Sequence, residues 1–132
     1  MNYFVNELTT QFAKGTHTDN HKIVQLILGA LKNMVMGDKN KLRLFDLKAT
    51  STSKTYNILP PIISYMTDSR DVLQYKALSV VRILCLNTLE NCFKLYKNGV
   101  LGSVLKFANT SQTKHVYAES SRILSTFLIN VF

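Results

Sequence analysis

The chain has 132 residues, with 16 Lys and Arg against 8 Asp and Glu, for a net charge of +8 at pH 7. That length allows one domain with a real core. Although 46% of the residues are hydrophobic, no window approaches the ~18 consecutive apolar residues that span a bilayer, so integral membrane association is not expected.

The first segment, Phe4, Val5, Leu8 and Phe12, has the spacing of a short amphipathic helix that stops at Gly15. A longer stripe follows at the 3.6-residue period: Ile23, Val24, Ile27, Leu28, Leu31, Met34 and Val35. Asp19 or Asn20 caps its start, and Gly37 ends it. Around Lys39, residues Leu42, Leu44 and Phe45 give a helix of two or three turns. The run from Lys48 to Thr55 is a loop, because its Ser and Thr side chains compete for backbone hydrogen bonds.

Asn57 precedes Ile58, Leu59, Ile62, Ile63 and Met66, with Pro60 and Pro61 in a first turn, where missing N–H donors cost nothing. After Thr67-Asp68-Ser69 a longer helix carries Leu73, Ala77, Val80, Val81 and Leu84. Leu89, Cys92, Phe93 and Tyr96 form a short helix broken at Asn98-Gly99, and Val100, Leu101, Val104, Leu105 and Ala108 form the next. Beyond a turn at Asn109-Thr110-Ser111, the last helix presents Val116, Ser120, Ile123, Leu124, Phe127 and Leu128.

These segments fall into blocks of short, medium and long helix, the first block lacking its opening helix. Aligning the long helices at Asn33, Ile83 and Thr126 gives offsets of 50 and 43 residues. The shorter is an armadillo or HEAT period, and the polar run around residues 48 to 56 accounts for the longer. The expected fold is all-α, a right-handed α-solenoid of armadillo/HEAT-like three-helix repeats. The repeats cover about 1–37 (incomplete), 38–87 and 88–132, as one segment of a longer array. Such units hide their apolar faces by stacking on neighbours. This register puts Leu124 between stacked helices, where an Asp would strand an unpaired charge and abolish soluble folding.

The third helix of an armadillo repeat often carries Ala-Leu-x-Asn-Leu, which Ala30-Leu31-Lys32-Asn33-Met34 resembles. Within the armadillo proteins the chain is similar to the smg GDS family, over roughly residues 20 to 130. Val72-Leu73-Gln74-Tyr75-Lys76-Ala77-Leu78-Ser79-Val80-Val81-Arg82-Ile83-Leu84 resembles that family's Val-Gln-Phe-Lys-Leu-Leu-Gly-Thr-Leu-Arg-Met-Leu. Glu119-Ser120-Ser121-Arg122-Ile123-Leu124-Ser125 resembles its Glu-Ser-Asn-Arg-Leu-Leu-Ser. The resemblance implies a stimulator of GDP release from small GTPases of the Rho, Rap and Ras superfamily. Ser121 stands where the family has Asn. The family also presents acidic surface, so its acidic groove is expected outside this basic segment.

Exchange of this kind works by differential binding and needs no acid, base or nucleophile from the exchanger. The partner-binding residues expected on an exposed polar row are Arg82, Glu119, Ser121, Arg122 and Ser125, with Asn33 beside them. A second reading of Arg82 and Arg122 stays open, in which their stems cover apolar neighbours and their heads bond adjacent helix ends. A general armadillo scaffold or adaptor without exchange activity is the alternative function.

No catalytic residues, cofactor or metal are expected. The sequence holds no Gly-rich phosphate loop, no Gly-x-Ser-x-Gly and no His-Glu-x-x-His. His17, Asp19 and His21 lack a third strong ligand for a metal and read as capping and loop residues. Cys85 and Cys92 sit inside apolar patterns as buried thiols. The basic residues are dispersed, and even Lys39, Lys41, Arg43 and Lys48 are interrupted by apolar residues and Asp46, so no nucleic-acid partner is expected. The amino terminus lacks the basic flank and apolar run of a secretory signal, which makes a cytoplasmic setting the expectation, with the nucleus and organelle surfaces open.

Overall fold

The computed structural model describes residues 2–14, 20–37, 59–68, 70–86, 89–110 and 114–130. Among them there are seven helices and no strand: α1 (Asn2–Ala13), α2 (His21–Met34), α3 (Leu59–Met66), α4 (Asp71–Cys85), α5 (Leu89–Lys97), α6 (Val100–Thr110) and α7 (Lys114–Asn130). The protein is all-α over these residues. The short helix expected near Leu42 and Phe45, the loop from Lys48 to Thr55, and the residues His17 and Asp19 lie outside the described residues.

Helix α4 is the hub. It packs against α2, α3, α5 and α7, while α1 packs on α2 and touches α3, and α6 packs on α5 and α7. A helix with neighbours on several sides must be apolar on several sides. Accordingly Leu73, Ala77, Leu78, Val80, Val81, Ile83, Leu84 and Cys85 are all buried in it. They join Val24, Leu28 and Leu31 of α2 and Val116, Ile123 and Phe127 of α7 in one continuous core. Removing a leucine or phenylalanine side chain from water in this way contributes about 1.5–3 kcal/mol per residue.

The ends of α4 are fixed by side chains. Before its start, Asp68 Oδ1 accepts from the Arg70 backbone N–H at 2.8 Å and from Arg70 Nε at 2.9 Å, while its Oδ2 takes Nη2 at 2.9 Å. This bond to Asp68 raises the Arg70 pKa above its ordinary value. At the other end, Asn91 Nδ2 donates to the Leu84 carbonyl at 3.0 Å, and the Cys92 thiol donates to the Cys85 carbonyl at 3.3 Å. Two carbonyls that a helix end leaves without an internal partner are thus satisfied by α5.

Local signals behave as their chemistry requires. Pro60 and Pro61 occupy the first turn of α3. Gly99 adopts φ +80, in the left-handed region that suits glycine, and its N–H reaches the Tyr96 carbonyl at 3.1 Å to close α5 before α6 begins.

Other expectations shift. Asn20 stands at the N-cap of α2 without a capping bond, because its amide donates instead to Gln11 Oε1 at 2.9 Å and the Gln11 carbonyl at 3.2 Å, tying α2 to α1. Ile23, assigned to the buried stripe of α2, is exposed, as are Phe93, Tyr96 and Leu105. Leu124 is only partly buried, against the edge of the core, whereas its neighbours Ile123 and Phe127 are wholly buried. An aspartate that strands a charge in the core therefore belongs at 123 or 127, not 124.

Leu78→Ala, at the centre of α4, is expected to lower unfolding free energy by about 2–5 kcal/mol in denaturant titration. Tyr65 is wholly buried, its hydroxyl has no hydrogen-bond partner, and burial raises its pKa. The folded chain thus holds a proton that the unfolded chain releases near pH 10, so this contribution is intact below about pH 10 and drains as pH rises beyond it. Tyr65→Phe should flatten that alkaline decline and leave neutral-pH stability unchanged or higher, as measured by thermal melts across pH 8 to 11.

Candidate functional site

Two polar features lie along helix α4, three residues apart in its sequence. The first joins α4 to α7. Arg82 Nε donates to Glu119 Oε2 at 2.5 Å, and Arg122 Nη1 donates to the other oxygen, Oε1, at 3.1 Å. One carboxylate therefore bridges two guanidinium groups, one from each helix. The Glu119 side chain is 9% exposed, that of Arg82 20% and that of Arg122 61%.

This arrangement revises the expected roles. Glu119, expected on an exposed row, is buried and committed to the ion triad, and Arg82 is largely covered with it. A buried carboxylate is tolerated because both of its oxygens receive charged donors. Of the two readings of Arg82, neither describes the outcome, since its head bonds a side chain of α7 rather than a helix end. Arg122 and Ser125 are exposed, and Ser121 is half-buried with its carbonyl accepting from the Ser125 hydroxyl at 3.1 Å. The structure therefore brings Arg82, Glu119 and Arg122 together, with Ser121 and Ser125 on the same helix as Glu119.

Asn33 lies apart from this group. It is exposed on α2 and lines a cleft of about 220 Å³ between α2 and α4, with Leu28, Gly29, Lys32, Tyr75, Lys76 and Ser79. The spacings 28, 29, 32 on α2 and 75, 76, 79 on α4 place each set on one helical face. Lys76 crosses the cleft so that its ammonium stands 3.4 Å from the Gln25 carbonyl of α2. The Tyr75 ring packs at 5.4 Å from the His115 ring of α7. Lys32, Lys76 and Ser79 were not singled out in the sequence. Helical spacing places them on faces, but only the meeting of α2 with α4 makes those faces a cleft.

The alignment that put Ile83 in register with Asn33 does not describe the exposed row, because Ile83 is 5% exposed. The polar residues of α4 nearest Ile83 are Arg82, which is partly exposed, and Ser79, which is buried.

Cys85 and Cys92 are both buried free thiols. The Cys85 thiol is pushed well above its usual range by the hydrogen bond with Cys92 and by burial. A thiol so held is a poor nucleophile. No group of three or more His, Cys, Asp or Glu placed to hold a metal occurs among the described residues.

No family model matches the chain, and no curated protein or solved structure matches it either.

Glu119→Ala leaves Arg82 without its partner in a largely covered position and should cost about 2–4 kcal/mol of stability. Arg122→Ala removes the solvent-exposed arm of the triad and should cost less than about 1 kcal/mol. Chemical denaturation of the two variants tests this order, and equal losses would mean that the triad is not organised around the Arg82–Glu119 pair.

Proposed function

We propose that this chain is a protein-binding armadillo-type segment, a right-handed α-solenoid of stacked three-helix units, from a guanine-nucleotide exchange factor or chaperone. Its partners in this reading are small GTPases of the Rap and Rho type, from which it promotes GDP release in the cytoplasm. The observation that carries the reading is the run Glu119 to Ser125, with exposed Arg122 and Ser125 one turn apart on α7. The succession of packed long helices, α2 on α4 and α4 on α7, supports the stacked arrangement.

In this function Arg122, Ser125 and Asn33 make contact with the partner, and Ser121 lies beside them. Arg82 and Glu119 act as positioning residues: the carboxylate that Arg82 anchors holds one arm of Arg122. The chemistry needed is a rigid surface that binds the GTPase more tightly once its switch loops are displaced, so that nucleotide affinity falls. Side chains locked by a core and an ion triad satisfy that need at low entropic cost.

The burial of Glu119 favours a second reading, an armadillo scaffold or adaptor without exchange activity. In that case the triad serves only to join α4 and α7.

Release of a fluorescent GDP analogue from Rap and Rho proteins separates the two. The proposal expects acceleration by the chain and by the protein that carries it, reduced at least about tenfold in an Arg122→Ala/Ser125→Ala variant, the scale of one lost charge-assisted contact. Absence of both binding and acceleration would rule out the GTPase assignment, and binding without acceleration would select the adaptor.

A further inference from the structure

The α2–α4 cleft has properties that neither helix packing nor the ion triad explains. Lys32 and Lys76 both line it, no carboxylate does, and neither lysine has an ion-pair partner among the described residues. Lys76 Nζ donates to the Gln25 carbonyl at 3.4 Å, which carries no net charge, so two like charges on the lining of one small cavity remain uncompensated and an anion between them would be favoured.

Ser79 supplies an independent observation. It is 1% exposed, lines the cleft, and its hydroxyl has no hydrogen-bond partner. A helical serine usually returns its hydroxyl to the carbonyl one turn back, as Ser125 does here with Ser121. An orphaned hydroxyl costs about 1–3 kcal/mol, and the residue that carries this one is part of the cleft lining. The hydroxyl of Ser120 is also buried and unpartnered, but Ser120 does not line this cleft.

Gly29 forms part of the wall. A Cβ there would meet Lys76 Nζ at 3.7 Å, an ordinary contact, so alanine would fit. Helix propensity alone favours alanine by about 1 kcal/mol, and glycine keeps that wall open. The volume of about 220 Å³ is below the roughly 300–1,000 Å³ of pockets that enclose whole drug-sized ligands. It suits a single compact group.

We propose that this cleft is a seat for a phosphate monoester, held by the ammonium groups of Lys32 and Lys76 with hydrogen bonds from Asn33 and the Ser79 hydroxyl. A phosphate monoester carries about −1.5 to −2 at pH 7 and three acceptor oxygens. That matches two lysine charges and two neutral donors, whereas a carboxylate would neutralise one lysine alone. Lysine binds phosphate as a point charge and so tolerates the flexible approach that Lys76 makes across the cleft. The monoester comes either from a small phosphorylated metabolite or from a phosphorylated side chain of a protein, and the seat itself recognises what the two share. It shares Asn33 with the proposed GTPase surface but none of Arg122, Ser125, Lys76 and Ser79, so the variants that test one reading leave the residues of the other in place.

Backbone amide shifts of the full chain, titrated at constant ionic strength, test the seat. The probes are inorganic phosphate, acetate, phosphoserine and a short phosphoserine peptide. Saturable shifts at Lys32, Asn33, Lys76 and Ser79 are expected with the phosphates, and acetate should bind at least about tenfold more weakly. Lys76→Met keeps the apolar stem, and Ser79→Ala removes the orphaned hydroxyl without disturbing the core. The first should weaken phosphate binding by about tenfold or more and the second by about threefold or more, with the folded spectrum retained. Tighter binding of the peptide than of phosphoserine identifies a protein-borne phosphate, and equal binding identifies a small metabolite. Non-saturating shifts, acetate binding equal to phosphate, or full binding in both variants would overturn the proposal.

Discussion

The structure depends on the burial of helix α4. Four helices pack on it, its apolar residues run through the centre of the core, and little of its circumference is left for polar groups. This constraint decides where chemistry is possible. A polar side chain on α4 must either find a partner on a neighbouring helix or open into a gap between helices, because an unpaired group in the core costs several kcal/mol. Arg82 takes the first course, with Glu119 of α7, as does Lys76, with the Gln25 carbonyl of α2, and Ser79 takes the second, beside α2.

The same constraint gives the two polar features different characters. Between α4 and α7 the charges are matched inside the molecule: one carboxylate answers Arg82 fully and Arg122 in part. Between α2 and α4 the lysines have no ion-pair partner among the described residues. The first arrangement fixes the relation of two helices, and the second leaves an electrostatic deficit for something from outside. Asn33, which a family resemblance singled out, belongs to the second.

What could be read from the sequence followed from how local the cause was. Pro60 and Pro61 mark the start of α3, and Asn98-Gly99 the break before α6, because proline and glycine act through their own backbone geometry. The long helices were legible from their apolar period. Their rotation about their own axes was not, so Ile23 and Leu124 were placed deeper than they lie and Ile83 was aligned with an exposed position. A pair such as Arg82 and Glu119, separated by 37 residues, becomes visible only once α4 and α7 are in contact. Asn20 shows the same limit on a smaller scale. Its side chain suits a helix cap, but the nearby Gln11 offered a better acceptor.

The C-terminal end of α4 has a consequence for how the molecule opens. Its final carbonyls, those of Leu84 and Cys85, are closed by Asn91 and Cys92. The last turn of α4 therefore cannot be complete while α5 is detached, and α5, at nine residues, is too short to persist by itself. The two segments rise and melt as one cooperative unit, so a disturbance at the α5 surface is transmitted to the helix on which the rest of the architecture leans.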